Sequence, residues 1–214
     1  MNNIEIMGVL NITDNSFHDG GKYNSFKGSF QHAKEMIQED ADIIDIGAES
    51  SKPGADPVSS KDQIKKIEPV VDAIREVSDI PISIDTRSSD VIKKLTKYKI
   101  NIVNDISSLQ DIELISVIKE NNLTVSLMHM QGVPKNMQDN PTYNDVVSDV
   151  YSYLEKKVQL CLDSGIDKDK IIIDPGFGFG KTLDHNYLIL NNLEKYTKLG
   201  LSLIHISEPT RRPI

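Results

Sequence analysis

The sequence has a single cysteine, Cys161, in 214 residues. Neither a disulfide framework nor a cysteine-based metal site can form within the chain. The thiol falls in the apolar-periodic run Val158, Leu160, Cys161, Leu162 and reads as core. Positive charge is also scarce: 24 Lys and Arg against 32 Asp and Glu give a formal net charge of −8. General nucleic-acid binding needs clustered cations that carboxylates do not outnumber, so that function class is excluded, and an anionic substrate would need local help. No apolar run approaches the roughly 18 residues needed to span a bilayer. The opening residues, Met1 to Ile6, have neither a basic n-region nor a long apolar h-region. The expectation is a reduced, cytoplasmic protein without a membrane partner. What the chain does have is a hydrophobic fraction of 38%, enough to build the core of one domain or of two small ones.

Short Ile- and Val-rich runs alternate with longer amphipathic stretches, a β-α-β-α rhythm. The expected strands are Ile4 to Leu10, Asp42 to Ile46, Ile80 to Ile84, Asn101 to Val103, Leu123 to Met128 and Lys170 to Ile173. The expected helices are Phe26 to Glu39, Lys61 to Glu76, Asp90 to Tyr98, Glu113 to Asn121, Asp145 to Ser164 and His185 to Tyr196. Ser59 or Ser60 suits the N-cap of the second helix, and Gly165 stands where a C′ glycine belongs after the fifth. Near-continuous apolar strands such as 171–173 suit a parallel sheet buried on both faces, which leaves a doubly wound sheet or a (βα)8 barrel. Asn11, Glu49 to Pro53, Asp85, Asn104, Met128 with His129, and Asp174 all follow directly on strands. In a barrel those ends meet at one mouth, whereas a doubly wound sheet spreads most of them apart, so the barrel is favoured. About six βα units are visible and closure takes eight strands, so strands 7 and 8 are expected to be missing.

The expected domain is 1–200, and the stretch from Leu201 to Arg211 reads as an in-frame translation of a transposase-type sequencing adapter. On that reading 201–214 is a non-native tail, and His205, Arg211 and Arg212 carry no function. The competing reading is a genuine β-strand followed by a basic tail.

Several segments carry candidate chemistry. In Met7 to Gly21, Asn11 sits where an amide can meet a phosphate oxygen or a metal-bound group, or simply end the strand as an Asx-turn. In Ile43 to Gly54, Lys52 can meet an anion or stay a solvated surface cation. Asp45, inside the strand, reads as a hydrogen-bonding group in the barrel interior or a register marker. Asp85 in Ile82 to Arg87 and Asn104 in Ile102 to Ile106 come at adjacent strand ends. A carboxylate accepts and an amide both donates and accepts, so together they can grip the edge of a heterocycle, although each alone also suits a cap or turn. The run Ile171 to Thr182 ends in Gly-Lys-Thr, but Pro175 stands where a P-loop requires its first glycine. The dinucleotide fingerprint also fails, because Lys181 occupies its third glycine position. Asp174 is then the residue to explain: a carboxylate leaving a buried strand, followed by glycines that let a ring approach the backbone. Phe177 and Phe179 wall such a pocket or belong to the core.

Taken in order, Gly-Val-Leu-Asn-Ile-Thr, Ile-Asp-Ile-Gly-Ala-Glu-Ser-Ser-Lys-Pro-Gly, Ser-Ile-Asp-Thr, Val-Asn-Asp-Ile, Leu-Met-His-Met-Gln-Gly and Asp-Pro-Gly-Phe-Gly-Phe-Gly-Lys resemble dihydropteroate synthase, from about Met7 to Gly200. The resemblance implies a pterin-binding TIM barrel, a transferase of folate biosynthesis and a sulfonamide target. Such an enzyme condenses (7,8-dihydropterin-6-yl)methyl diphosphate with 4-aminobenzoate to give 7,8-dihydropteroate and diphosphate, assisted by Mg²⁺. It also implies roles for particular residues. Asp85, Asn104 and Asp174 would hold the pterin, with Ile106 and Met128 lining its pocket and Gly178 and Phe179 beside it. Asn11 would serve the diphosphate and its metal, while Ser51, Lys52 and Pro53 would shape the aminobenzoate site.

Departures from the family pattern are Asp14-Asn15 for Pro-Asp and Ser51-Lys52 for Thr-Arg; lysine keeps the charge but loses the planar fork. The family's Ser-Arg-Lys and Arg-x-His segments are not found in these 214 residues, so this chain is expected to be nearly inactive and its full-length parent to be the synthase. The parent is expected to be a homodimer. A second class with the same implied barrel and Asp/Asn grip is a pterin-binding domain that delivers methyltetrahydrofolate to a corrinoid protein.

Overall fold

A computed structural model of the chain describes residues 4–12 and 26–205. Seven strands form one sheet: β1 (Met7–Asn11), β2 (Ile43–Gly47), β3 (Ile82–Asp85), β4 (Ile102–Asp105), β5 (Thr124–Met128), β6 (Ile171–Asp174) and β7 (Ser202–Leu203). Between them run α1 (Phe26–Gln38), α2 (Ser60–Val77), α3 (Ser89–Leu95), α4 (Glu113–Glu120), α5 (Val146–Asp163), α6 (Leu183–Asn191) and α7 (Leu193–Thr197). All pairings are parallel, and the strand order in space is the order in sequence. A doubly wound sheet reverses its order at a switch point, whereas a barrel does not. The chain is therefore a (βα)8-type TIM barrel left incomplete, a curled sheet in which β1 and β7 are unpaired with each other.

Each strand gives one layer of side chains to the helices and another to the barrel interior. Ile44, Ile46, Ile82, Ile84, Val103, Val125, Leu127, Ile171 and Ile173 are buried and join Val71 and Ile74 of α2, Leu114 and Ile118 of α4, and Val150 and Leu154 of α5 in one core. Cys161 lies in this core and is completely buried. Ser59 is the N-cap of α2, its Oγ accepting from Asp62 N at 3.2 Å. Gly165 follows α5 with φ +82°.

Three expectations change. The first strand begins at Met7 rather than Ile4: Ile4 and Ile6 are exposed, and Ile6 O only accepts from Asp42 N and Ile43 N at the entry to β2. The helix expected over 185–196 is two helices, with the chain leaving helical geometry at Asn192 (φ −121°, ψ 24°). A seventh strand exists, and it lies beyond Gly200: Ser202–Leu203 pairs with Ile172–Ile173, and Ile204 N donates to Ile173 O at 2.9 Å. Leu201 and Leu203 pack against the core, which is why this short run seats as a strand. Asp14, Asn15, Arg211 and Arg212 lie outside the described residues.

Candidate active site

Parallel pairing puts residues in register on the same face. One row across the barrel interior reads Asn11, Gly47, Asp85, Asn104, Ser126 and Ile172 on β1 to β6. One layer nearer the strand ends, Met128 pairs with Asp174. Asp85 and Asn104 are thus neighbours on adjacent strands, and Asp174 stands across β5 from Asn104. Ile106 and Met128 are buried beside them. The absence of a side chain at Gly47 makes room for Asp85, whose Cβ and Oδ2 lie 3.1 and 3.2 Å from where a Cβ on Gly47 would sit.

Beneath this row is Asp45, whose Oδ2 accepts from Asn104 Nδ2 at 3.0 Å. The amide nitrogen of Asn104 is therefore turned inward and its Oδ1 is free to accept from a ligand. Asp45 thus proves to be a hydrogen-bonding group of the barrel interior. Its Oδ1, Ser83 Oγ and Ser126 Oγ are buried without a protein partner among the described residues. Carboxylates crowd this region, with electrostatic consequences. Desolvation raises the Asp85 carboxyl well above its usual range, and the charges of Asp45, Glu49 and Asp105 push the same way; Arg87 opposes them. Burial also raises Asp45. Asp174 is raised to about 6 by burial, with the Gly176 N–H and the Lys181 charge pulling it back.

The segment after β6 folds differently from the sequence expectation. Its glycines do not all open space for a ring: a Cβ on Gly176 would lie 2.1 Å from His129 O, so that glycine exists to let two backbones meet. Gly178 has open space around it and is exposed, while Phe177 packs on the core and Phe179 is half-buried. Lys181, read only as the residue that spoils a glycine motif, is 3% exposed and hydrogen-bonded on all sides. Nothing in the local pattern signals this, because the contacts that bury the ammonium include His129 O and Nδ1 at the end of β5 as well as Gly176 O and Phe179 O of its own loop.

Ser51, Lys52 and Pro53 lie on the loop after β2, Ser51 half-buried and the other two exposed. Gly54 N donates to Pro134 O at 3.1 Å, which ties that loop to the one after β5 on the same side of the sheet. Glu49, behind it, holds Arg87 in a two-pronged ion pair. Asn11 ends β1 with its side chain exposed. An open cavity of about 640 Å³ is at the opposite end, among Pro81, Ile100, Asn101, Leu123 and Lys170, away from these residues.

The pterin binding enzyme family matches residues 7–207. The dihydropteroate synthase of Escherichia coli K12 is 43% identical over 199 residues, covering 93% of this chain and 71% of that protein. The chain belongs to the dihydropteroate synthase family. Solved structures agree: the Yersinia pestis dihydropteroate synthase in a sulfonamide drug complex superposes with a TM-score of 0.87 at 40% identity, covering 93% of this chain and 72% of that one. The Xanthomonas albilineans dihydropteroate synthase with 4-aminobenzoic acid gives 0.87 at 32% identity over 94% and 72%. A dihydropteroate synthase is a transferase that joins a dihydropterin methyl diphosphate to 4-aminobenzoate.

Proposed function

We propose that this chain binds the pterin substrate between Asp85, Asn104 and Asp174, with Ile106 and Met128 against the ring and Gly178 and Phe179 at its edge. The observation that carries the reading is the juxtaposition of two carboxyls and one oriented amide at a barrel mouth, all on in-register strand ends. A pterin edge offers N–H donors, and ionised carboxylates plus an amide oxygen accept from them. Burial raises the carboxyls in the unligated protein, so they gain most when such donors arrive.

When diphosphate leaves, positive charge develops on the pterin methylene, and Asp85 and Asp174 stabilise it in a site of low polarity. No protein nucleophile is needed; holding the amine of 4-aminobenzoate against that carbon supplies much of the rate. Ser51, Lys52 and Pro53, on a loop tied to the same side, form the aminobenzoate side of the site, with Lys52 as the cation nearest its carboxylate.

Asn11 serves the diphosphate end. Among the described residues no group of three His, Cys, Asp or Glu side chains is poised to hold a metal ion. Mg²⁺ that arrives with a diphosphate needs few protein ligands, and an exposed amide oxygen at the end of β1 fits one of them. When bound there, Mg²⁺ neutralises charge on the departing oxygens. A cytoplasmic location and a homodimeric assembly complete the reading and rest on the family. Residues 201–214 take no part in it.

The test is fluorescence titration with 6-hydroxymethylpterin. Asp174→Asn and Asn104→Ala are each expected to weaken binding by at least roughly tenfold, as loss of a charge-assisted or buried hydrogen bond implies. Unchanged affinity in both would remove the pterin site from this position.

A further inference from the structure

Lys181 has no part in the chemistry above, yet it is buried with four polar contacts. Its Nζ donates to Gly176 O at 2.8 Å, Phe179 O at 3.0 Å and His129 O at 3.2 Å, and it lies 2.9 Å from His129 Nδ1. Two further bonds close a circuit. His129 N donates to Asp174 O at 2.9 Å, and Gly176 N donates to Asp174 Oδ1 at 2.7 Å. The peptide whose N–H orients the Asp174 carboxylate thus belongs to a residue whose carbonyl is held by Lys181. The same ammonium holds the residue that follows Met128. Tyr143, from the loop after β5, adds a bond from its hydroxyl to Gly180 O at 2.6 Å.

We propose that Lys181 is a positioning residue for the reaction: its ammonium locks the loop after β6 onto the end of β5 and so fixes the Asp174 carboxylate and the Met128 side chain for the pterin. The inference rests on the pterin site proposed above. A single ammonium suits this task because it offers three donors in a compact tetrahedral head, shared among three carbonyls and His129 Nδ1 that converge from two loops. Lys181 is also the charged side chain that holds the Asp174 carboxyl down against burial. Burial lowers Lys181 itself to about 7, with the Asp174 charge opposing, so the ammonium form prevails along the acid limb below neutrality. His129 stays neutral there, because burial lowers it to about 3 and Lys181 adds to that, and Tyr143, raised to about 12 by burial, stays protonated. With Nδ1 facing the ammonium, the His129 proton sits on Nε2.

The experiment titrates 6-hydroxymethylpterin into the full chain across pH, comparing wild type with Lys181→Met, His129→Leu and Asp174→Asn, well below each variant's unfolding temperature. Lys181→Met is expected to weaken binding roughly tenfold or more. It should also move the acid limb of the binding profile up by roughly 1 pH unit, since a nearby cation lowers a carboxyl by about that much. A residue that merely stabilised the fold would not shift that limb. His129→Leu removes one of the four contacts and is expected to lose about threefold. If Asp174→Asn abolishes binding while Lys181→Met leaves both affinity and acid limb unchanged, the role of Lys181 is overturned and the pterin site stands. If Asp174→Asn changes nothing either, the site reading fails and takes this one with it. Should Lys181→Met not fold, unchanged binding in His129→Leu overturns the proposal.

Discussion

Asp85 carries two opposite demands. In the unligated fold its charge is disfavoured by desolvation and by Asp45, Glu49 and Asp105. Asp85→Asn is therefore expected to stabilise the free protein by about 1 kcal/mol, a rise of roughly 2–4 °C in melting temperature, while weakening pterin binding. Calorimetry and the pterin titration read the two effects separately. The pH dependence has a definite sign. A carboxyl whose folded pKa is raised binds more protons in the folded than in the unfolded chain, so its contribution to stability falls as pH rises from about 4 towards that raised value. Ligand binding runs the other way. Asp174, at about 6, accepts two ring N–H groups and balances ligand charge best when ionised, so pterin affinity is expected to fall as pH drops below about 6. Backbone geometry gives a second contrast. Gly176→Ala puts a Cβ 2.1 Å from His129 O at φ +68°, whereas Gly178→Ala meets no atom at φ +81°. Denaturant unfolding should show a loss above about 3 kcal/mol for the first and about 1 kcal/mol for the second.

At the scale of elements, the βα units are held in register by contacts at the end of the sheet away from the site. Arg75, in the last turn of α2, donates to the carbonyls of Tyr98, Ser78, Ile80 and Lys99 and to Asn101 Oδ1. Asn101 Oδ1 also accepts from Ile82 N at 3.0 Å, so one guanidinium ties α2 to the starts of β3 and β4. Lysine cannot reproduce that fork. Arg75→Lys is expected to cost about 2 kcal/mol in denaturant unfolding with pterin affinity at the folded plateau unchanged. The helix caps show what short-range pattern conveys: Ser59 and Gly165 stand where their residue types imply, because capping is decided within a few residues of chain. The break at Asn192 is not of that kind. Tyr196, on α7, is buried with its hydroxyl on Val147 O at 3.2 Å, so packing on α5 sets where α7 lies.

For the molecule as a whole, sequential strand order brings every strand end to one side, and the curled sheet leaves β1 and β7 as edges. β7 adds only a two-residue ladder to this sheet. Ending the chain after His205 keeps that ladder and is expected to leave pterin affinity unchanged within error.

Alternation of apolar runs and polar strand ends was enough to determine a parallel βα architecture, the barrel over the doubly wound alternative, and Asp85, Asn104 and Asp174 as the residues to examine. Those signals are local, since burial of a strand on both faces and the residue that follows it are written within a few positions. Only the tertiary structure decided that Asp45 turns the Asn104 amide and that Gly176 meets His129. It also decided that Lys181 closes a circuit around Asp174 and that Ser202–Leu203 seats beside β6. Each depends on at least one partner tens of residues away, and hydrogen bonds between separate loops leave no period in the sequence.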